Sequence, residues 1–269
     1  MNLAEPPPRL EQADQEALVR AVRLIEQPGF AARVAEMAGE PIGQILNALP
    51  KFATARFTTI VTAAVLQSLK IAISTLGEPS KGAPSAWIPK MMAGVTGGVG
   101  GLFGFASLAI ELPLTTTLML RAISDIARSE GEDLRSARSK LACLEVFALG
   151  AKTPSREVGT GAGYYAARAM LAQALNEAAS YLVQRGAVDQ AAPVLTRLVG
   201  TISSEFGLVV SEKVAAGAIP VVGALGGATV NVVFMDHFQN LARAHFIIRR
   251  LERNYGAQHI RLLSESAVY

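Results

Sequence analysis

The sequence MMAGVTGGVGGLFGFASLAI, residues Met91–Ile110, contains no charged side chain, and neither does VAAGAIPVVGALGGATVNVVFM, residues Val214–Met235. Twenty helical residues rise about 30 Å, which matches the thickness of the hydrocarbon core of a bilayer. Either stretch is therefore long enough to enter a membrane or to form the innermost helix of a water-soluble protein. We predict a helical fold built around these two glycine-rich segments.

Helical signals continue on both sides of the two segments. From Phe57 to Leu76, apolar residues recur at spacings of three and four and form one helical stripe. Three glycines are expected to end the helices that precede them: Gly131, Gly186 and Gly256. Because no hairpin-type turn separates alternating apolar runs, strands are not expected. The predicted fold class is all-α.

The chain is predicted to form one domain. Residues 1–9 contain three consecutive prolines, which cannot continue a helix, so we expect a disordered tail there. Gly77–Trp87 and Gly150–Gly163 are rich in glycine and proline and are predicted to be loops. Since neither has the composition of an interdomain linker, residues 10–269 are predicted to form a single helical domain.

Composition limits the class of protein. Hydrophobic residues make up 51% of the chain and the mean hydropathy is +0.32. Charged residues make up 17%, against about 25% in typical soluble domains, which favours a bilayer or unusually buried helices. The net charge is only +3 and is not clustered as a nucleic-acid partner would require. After Asp236 a mild basic excess suits a solvated helix face or an anionic membrane surface; its members are Arg243, Arg249, Arg250, Arg253 and Arg261.

The N-terminus and the cysteine content bear on location and redox chemistry. Met1–Pro8 lacks the basic start and apolar run of a secretory signal. We therefore expect a cytoplasmic protein, at or near the inner face of the cytoplasmic membrane. Cys143 is the single cysteine, which excludes an internal disulfide and a thiolate-rich metal site. Its apolar neighbours predict a packed, unreactive thiol.

Glycines four residues apart lie on one face of a helix, where a second backbone can approach closely. The uncharged segments contain four such pairs, which are the predicted helix-packing or interaction positions: Gly94 and Gly98, Gly97 and Gly101, Gly100 and Gly104, and Gly223 and Gly227. Glycine also lowers helix stability, which weakens the case for an autonomous spanning helix. The run Gly98–Gly104 misses the dinucleotide-binding pattern by one residue, and no P-loop is present. No cofactor or metal is predicted.

Four polar residues within or beside the uncharged segments are candidates for a site: Glu111, Asn231, Asp236 and His237. Polar groups inside an apolar helix mark functional sites in some proteins, although a structural hydrogen-bond network is the more frequent explanation. Glu111 precedes Pro113 by two residues, which favours a position at a helix start. His237 and His245 are about 12 Å apart along one helix axis, too far to share a metal ion.

The order of several segments resembles the EcsC-like family of bacterial proteins. The matching segments are Gly98–Gly104, Leu112–Pro113, Ile123–Gly131, Tyr164–Arg168, Lys213 through Ile219–Ala224, Asn231, Ala242–Phe246 and Arg250–Gly256. They are rich in glycine and alanine, so their order and spacing carry the resemblance. The family is named for a protein encoded beside an ABC-type exporter. The resemblance implies a helical, membrane-associated accessory role and assigns no catalytic residue.

Three functions are compatible with the sequence. The leading hypothesis is a non-enzymatic accessory or regulatory protein, associated with a membrane or an ABC-type transporter through the two uncharged segments. The second is a soluble helical protein that encloses an apolar ligand, such as a lipid, between them. The third is an enzyme of unknown reaction that uses Glu111 or the polar residues around Asp236, and the absence of catalytic motifs makes it the weakest.

Overall fold

A computed structural model describes residues 9–39, 55–76, 104–151, 160–186, 188–189, 192–218 and 227–266. Within these ranges the chain forms nine α-helices and no strand, which confirms the all-α prediction. The helices are α1 (Gln12–Glu26), α2 (Phe30–Ala38), α3 (Ala55–Thr75), α4 (Gly104–Ser129), α5 (Ala137–Leu149), α6 (Thr160–Arg185), α7 (Pro193–Ala218), α8 (Gly227–Tyr255) and α9 (Ala257–Ser266).

Polar contacts fix the directions of the long helices. Arg128, at the end of α4, donates to the carbonyl of Leu76, which follows α3, and the two helices pack in parallel. Lys213, near the end of α7, pairs with Glu111 of α4 at 2.5 Å, so α7 runs in the opposite direction. The same ammonium group lies over the ring of Phe234, near the start of α8. One end of the bundle, which we call the uncharged end, therefore holds the starts of α4 and α8 and the end of α7.

The opposite end of the bundle is rich in ion pairs. Glu132 follows α4 and accepts hydrogen bonds from Arg249 of α8 and Ser139 of α5. Arg250 of α8 donates to Asp14 of α1. Helix α6 packs along α5, and α9 folds back against α6 and α8. We call this the charged end.

The centre of the bundle is an aromatic cluster contributed by four helices. Its members are Phe30 of α2, Phe147 of α5, Phe206 of α7, and Phe234 and Phe238 of α8, none more than 1% exposed. Contacting rings have centroids 5.1 to 6.3 Å apart, mostly edge to face, which is a favoured arrangement for aromatic pairs. This cluster joins α2, α5, α7 and α8 into one core.

The predicted helix ends are confirmed at three glycines. Gly131, Gly186 and Gly256 have φ values of 77°, 69° and 91° and follow the last residues of α4, α6 and α8. A side chain is strained in this left-handed conformation, so glycine is favoured at such ends. The stripe from Phe57 to Leu76 is likewise confirmed as the inner face of α3.

The predicted helix start at Glu111 and Pro113 is wrong. Helix α4 begins at Gly104 and continues through Pro113. Leu108 and Leu112 are buried on its inner face, so tertiary packing holds the helix together across the proline. The predicted loop Gly150–Gly163 is wrong in its last four residues, because α6 already begins at Thr160.

Several sequence predictions fall on residues outside the described ranges. These are the tail at residues 1–8, the loop Gly77–Trp87, and the glycines Gly94, Gly97, Gly98, Gly100, Gly101 and Gly223. The remaining two packing candidates, Gly104 and Gly227, are the first residues of α4 and α8. Cys143 is fully buried in α5, and burial raises the pKa of its thiol, as expected for a packing residue.

Candidate functional site

A cleft of about 860 Å³ opens at the charged end, between α5, α6, the last turns of α8 and α9. Leu141, Leu175 and Leu262 line its apolar part. Its charged part consists of five arginines and three glutamates: Arg138, Arg168, Arg249, Arg253, Arg261, Glu145, Glu252 and Glu265. Clefts of this size accommodate small-molecule ligands. We call it the arginine-lined cleft.

Glu132 anchors the wall of the cleft that α8 provides. Its side chain is 3% exposed and accepts hydrogen bonds from Arg249 Nε at 2.9 Å, from Arg253 and from Ser139 Oγ at 2.6 Å. Although burial opposes ionisation, the hydrogen bonds from Arg249 and Ser139 hold the pKa of this carboxyl below its usual value. Because one carboxylate serves two guanidinium groups, this wall keeps an excess of positive charge.

A second ion pair joins α6 to the same part of α8. Arg168 of α6 donates two hydrogen bonds to Glu252 of α8, at 2.6 and 2.9 Å. Its guanidinium also lies over the rings of Tyr164 and Tyr165, at 5.4 and 5.9 Å from their centroids. Two-point pairing and ring contacts hold a guanidinium in one orientation. These contacts therefore hold the Arg168 side chain in place, where it links α6 to α8.

Three buried polar side chains follow one another beneath the cleft. The Tyr164 hydroxyl lies 2.9 Å from Nδ1 of His245, and Nε2 of His245 lies 3.6 Å from Oε2 of Glu145. Burial raises the pKa of Tyr164 and lowers that of His245, so the phenol is protonated and the imidazole is neutral. The hydroxyl thus donates to Nδ1, and the Nε2–H of His245 is left without a hydrogen-bond partner among the described residues.

Glu145 forms the floor of the cleft. The residue is 4% exposed, and no donor in the described part of the chain lies within hydrogen-bond distance of its carboxyl group. Burial raises the pKa of Glu145 to about 7, although Arg168 and Arg249 act in the opposite direction. Near neutral pH this carboxyl can therefore accept a hydrogen bond as an anion or donate one as an acid.

The four polar residues predicted from the sequence have separate surroundings, and none of them lines the arginine-lined cleft. Glu111 pairs with Lys213 instead of lying at a helix start. The Nε2–H of buried His237 donates to the carbonyl oxygen of Gly150 at 2.9 Å. Asp236 is exposed and Asn231 is half-buried. Among the described residues, no group of three or more His, Cys, Asp or Glu is arranged to hold a metal ion.

The basic excess after Asp236 differs from the solvated helix face that the sequence suggested. Three of its five arginines point at acids from other helices: Arg249 and Arg253 at Glu132, and Arg250 at Asp14 and Glu130. The sequence contains both sets of charges, but Arg249 and Glu132 are 117 positions apart and local patterning cannot join them. Glu145 did leave a local signal, because it is the only charged residue of Leu141–Leu149.

At the uncharged end, each uncharged segment exposes an apolar side chain. Ile110 of α4 is 77% exposed and Val232 of α8 is 45% exposed. Residues 91–103 precede α4, and residues 219–226 connect α7 to α8, so both undescribed portions attach to the bundle at this end.

Two described helices are long and apolar enough to cross a bilayer by length and composition alone, Ala55–Thr75 and Pro193–Gly217. In their most apolar windows, 39% and 44% of the residues are buried in the protein. The outward positions of α3 are mostly polar: Thr58, Thr59, Gln67, Lys70, Ser74 and Thr75. Packing of one apolar face against the core therefore accounts for the composition of α3.

A sequence model of the EcsC protein family matches residues 31–251. The chain belongs to the EcsC protein family. The matched range covers α2 to α7 and most of α8, and it includes the cleft residues Glu145, Arg168 and Arg249. In this EcsC-family protein, some cleft residues follow the matched range, namely Glu252, Arg253 and those of α9. No curated protein and no solved structure matches the chain.

Proposed function

We propose that this EcsC-family protein is a non-enzymatic accessory or regulatory protein that works at a membrane surface and attaches by the uncharged end of its bundle. One observation supports this proposal above the others. Both uncharged segments join the bundle at the same end, and the described ion pairs other than Lys213–Glu111 lie away from it.

The Lys213–Glu111 pair locates that end. Glu111 is seven residues into α4, Lys213 is five residues before the end of α7, and Phe234, under the Lys213 ammonium, is seven residues into α8. At about 1.5 Å per residue, the three helix ends lie within roughly 10 Å of this pair along their axes. The described helix ends to which the two segments connect therefore lie near one another.

The proposed attachment is peripheral. The exposed side chains Ile110 and Val232 lie where the two segments join the helices, and apolar side chains at such a place favour insertion into the boundary of a bilayer. The polar outer face of α3 argues against a lipid-facing span there. The charged end would then face the cytoplasm. An ABC-type transporter as the partner is part of the same proposal and rests on the family name alone.

The alternative of an enclosed apolar ligand has weaker support. The arginine-lined cleft presents eight charged side chains, so it suits a polar ligand better than a lipid tail. The centre of the described bundle is filled by the aromatic cluster. An enzyme is also less well supported, because the described cleft lacks a paired nucleophile and base.

The test is membrane fractionation of cells, followed by washes in high salt and in alkaline carbonate. We expect the protein in the membrane pellet after the salt wash and its release by carbonate. The double variant Ile110→Glu/Val232→Glu should shift about tenfold more protein to the soluble fraction, because two apolar contacts are replaced by charges that a bilayer surface repels.

A matched control uses an equally exposed apolar residue elsewhere. Val183 of α6 is 76% exposed, and Asn176 of the same helix hydrogen-bonds to Arg138 at the charged end. Val183→Glu should leave the distribution unchanged, and circular dichroism should show that every variant keeps its helical content. Recovery of the wild-type protein in the soluble fraction would contradict the proposal, as would an equal shift in Val183→Glu.

A further inference from the structure

We propose that the arginine-lined cleft is a binding site for a small phosphate monoester whose organic part carries a hydroxyl group. The cleft lies at the opposite end of the bundle from the proposed membrane contact, so this site does not depend on that contact. The ligand class follows from three features of the cleft: the contacts that its arginines already make, the number of those arginines, and the Glu145 carboxyl group at its floor.

Two arginines can turn to a ligand at little cost. Arg138 is exposed, and its described hydrogen bond goes to the neutral side chain of Asn176, at 2.6 Å. Arg261 pairs with Glu265 one turn along α9, and exposed pairs of this kind contribute little to stability. Arg253 is held more firmly, because it shares Glu132 with Arg249 and donates to the carbonyl of Glu130.

The number of arginines points to a phosphoryl group. A carboxylate is satisfied by one guanidinium in a two-point contact, whereas a phosphate monoester has a charge near −2 and three terminal oxygens. With Glu132, which pairs with two of them, the five arginines of the cleft face four glutamates, so the net charge is +1 when Glu145 is ionised and +2 when it is protonated, which suits an anionic ligand. Arg168 and Arg249 would hold the walls, because their pairs with Glu252 and Glu132 are the more buried ones.

The floor adds a second requirement, for a hydroxyl group. The carboxyl group of Glu145 faces the cleft, is nearly buried and makes no described hydrogen bond. Because this carboxyl group lines the cleft, its oxygen atoms can accept a hydrogen bond from a ligand or, when protonated, donate one to it. A hydroxyl on the organic part of the ligand would supply the missing contact, and Leu141, Leu175 and Leu262 would pack against its carbon atoms.

The test is a calorimetric titration of the full chain at constant ionic strength with glycerol 3-phosphate and with glucose 6-phosphate. We expect saturable binding of at least one ester and none of glycerol or glucose. Arg138→Gln and Arg261→Gln should each weaken it about tenfold, because each removes one charge-assisted contact. The matched control is Arg185→Gln, an exposed arginine of α6 outside the cleft, which should bind as the wild type does.

The same phosphate could come from a lipid headgroup, and vesicles distinguish the two sources. Vesicles of phosphatidylcholine containing lysophosphatidic acid, a phosphate monoester with a free hydroxyl group, are compared with vesicles of phosphatidylcholine alone. If only the lysophosphatidic acid vesicles bind, and Arg138→Gln and Arg261→Gln weaken that binding, the site takes a lipid headgroup. If the free esters bind, the ligand is soluble.

The variant Glu145→Gln tests the contribution of the floor of the cleft separately from that of its arginines. The amide keeps the size of the side chain, so the ester should still bind. The part of the pH dependence of its affinity that comes from Glu145 should be lost, and the part that comes from the second ionisation of the phosphate, near pH 6, should remain. The proposal is overturned if neither the free esters nor the lysophosphatidic acid vesicles bind saturably. It is also overturned if sulfate binds as tightly as the esters, or if Arg185→Gln weakens binding as much as the cleft variants do.

Discussion

The two halves of α8 are stabilised by different interactions. From Val230 to Phe238 the helix contributes two rings to the aromatic cluster, where dispersion and the release of water stabilise the fold. From His245 to Tyr255 it contributes charges that are paired with oppositely charged side chains outside α8. An apolar core loses stability in proportion to the volume removed or added, whereas a buried ion pair fails abruptly when one partner is lost. The first half therefore tolerates graded change, and the second is sensitive to single charges.

The largest effect is expected at Glu132. Glu132→Gln should lower the free energy of unfolding by about 3–5 kcal/mol, because Arg249 and Arg253 would lose the carboxylate that neutralises them. Urea unfolding at pH 7 measures this loss. Because the folded-state pKa of Glu132 is lowered, its stabilising contribution is present above the unfolded-state pKa and is lost as the pH falls through the folded-state value. Acid should therefore destabilise the wild type more than the variant.

The neighbouring acid provides the control for Glu132. Asp133 is exposed and pairs with Arg135 two residues away. Asp133→Asn should leave the midpoint of urea unfolding almost unchanged, because an exposed ion pair contributes little to stability. If the two variants lose equal stability, the ion pairs of α8 do not stabilise the charged end more than an exposed pair does. The proposed contrast between the two halves of α8 would then be wrong.

The second prediction concerns the apolar half. A methyl group at Gly150 would lie 2.5 Å from Cε1 of Phe238, inside the aromatic cluster. Gly150→Ala should therefore lower the free energy of unfolding by about 1–3 kcal/mol through overpacking. Gly150 has a φ of −69°, which any residue adopts, so the loss would come from the contact and not from the backbone.

Gly200 is the matched glycine for this experiment. It lies inside α7, and no atom is within 4 Å of the position that its Cβ would occupy. Gly200→Ala should raise the free energy of unfolding by about 0.5–1 kcal/mol, because alanine favours the helix. Urea unfolding compares the two variants. A loss of stability in both would show that the measurement reports on something other than the packing of Phe238.

The sequence was sufficient to predict the local features of this fold, but it predicted little of the candidate site. Helix identity, the buried stripe of α3 and the glycine ends of α4, α6 and α8 depend on spacing within one element, which the sequence displays directly. The interior Pro113 was misjudged because the packing of Leu108 and Leu112 against other helices decides where α4 begins.

The cleft was missed because its partners are distant in the chain. Tyr164 and His245 are 81 positions apart, Arg168 and Glu252 are 84 apart, and no local pattern specifies which residues meet. The lone charge of Glu145 in an apolar run is the same kind of signal that drew notice to Glu111. Only the folded structure distinguishes the two glutamates, because Glu111 forms an ion pair with Lys213 and Glu145 lines the arginine-lined cleft.

The third prediction concerns the pH dependence of stability at the floor of the cleft. Glu145 has a folded-state pKa of about 7, above its ordinary value of 4.5, so the unfolded chain loses this proton first. The contribution of Glu145 is therefore complete below about pH 4.5 and is lost as the pH rises to about 7. Glu145→Gln should therefore raise the free energy of unfolding at pH 8 and leave it almost unchanged at pH 4.5.

Urea unfolding of both proteins across this pH range provides the measurement for Glu145. The matched control is Glu177→Gln, because Glu177 lies on the exposed surface of α6, where it contacts Gln173 and Arg197. This variant should show no gain at pH 8. A gain at Glu145 that is independent of pH would mean that the carboxyl group is not the origin of the effect.

The smallest effect is expected where the charged end meets α1. Asp14 accepts hydrogen bonds from Arg250 at 2.7 Å and from the Tyr255 hydroxyl at 2.8 Å, and Arg250 keeps a second partner in Glu130. Asp14→Asn should therefore cost about 1 kcal/mol, and Tyr255→Phe, which removes one of the two bonds, should cost less. Hydrogen exchange should show the loss in the amides of α1 before those of α8. If Asp14→Asn instead costs as much as Glu132→Gln, then Asp14, Arg250, Glu130 and Glu132 act as one cooperative unit, and the charged half of α8 fails as a whole when any single pair is broken.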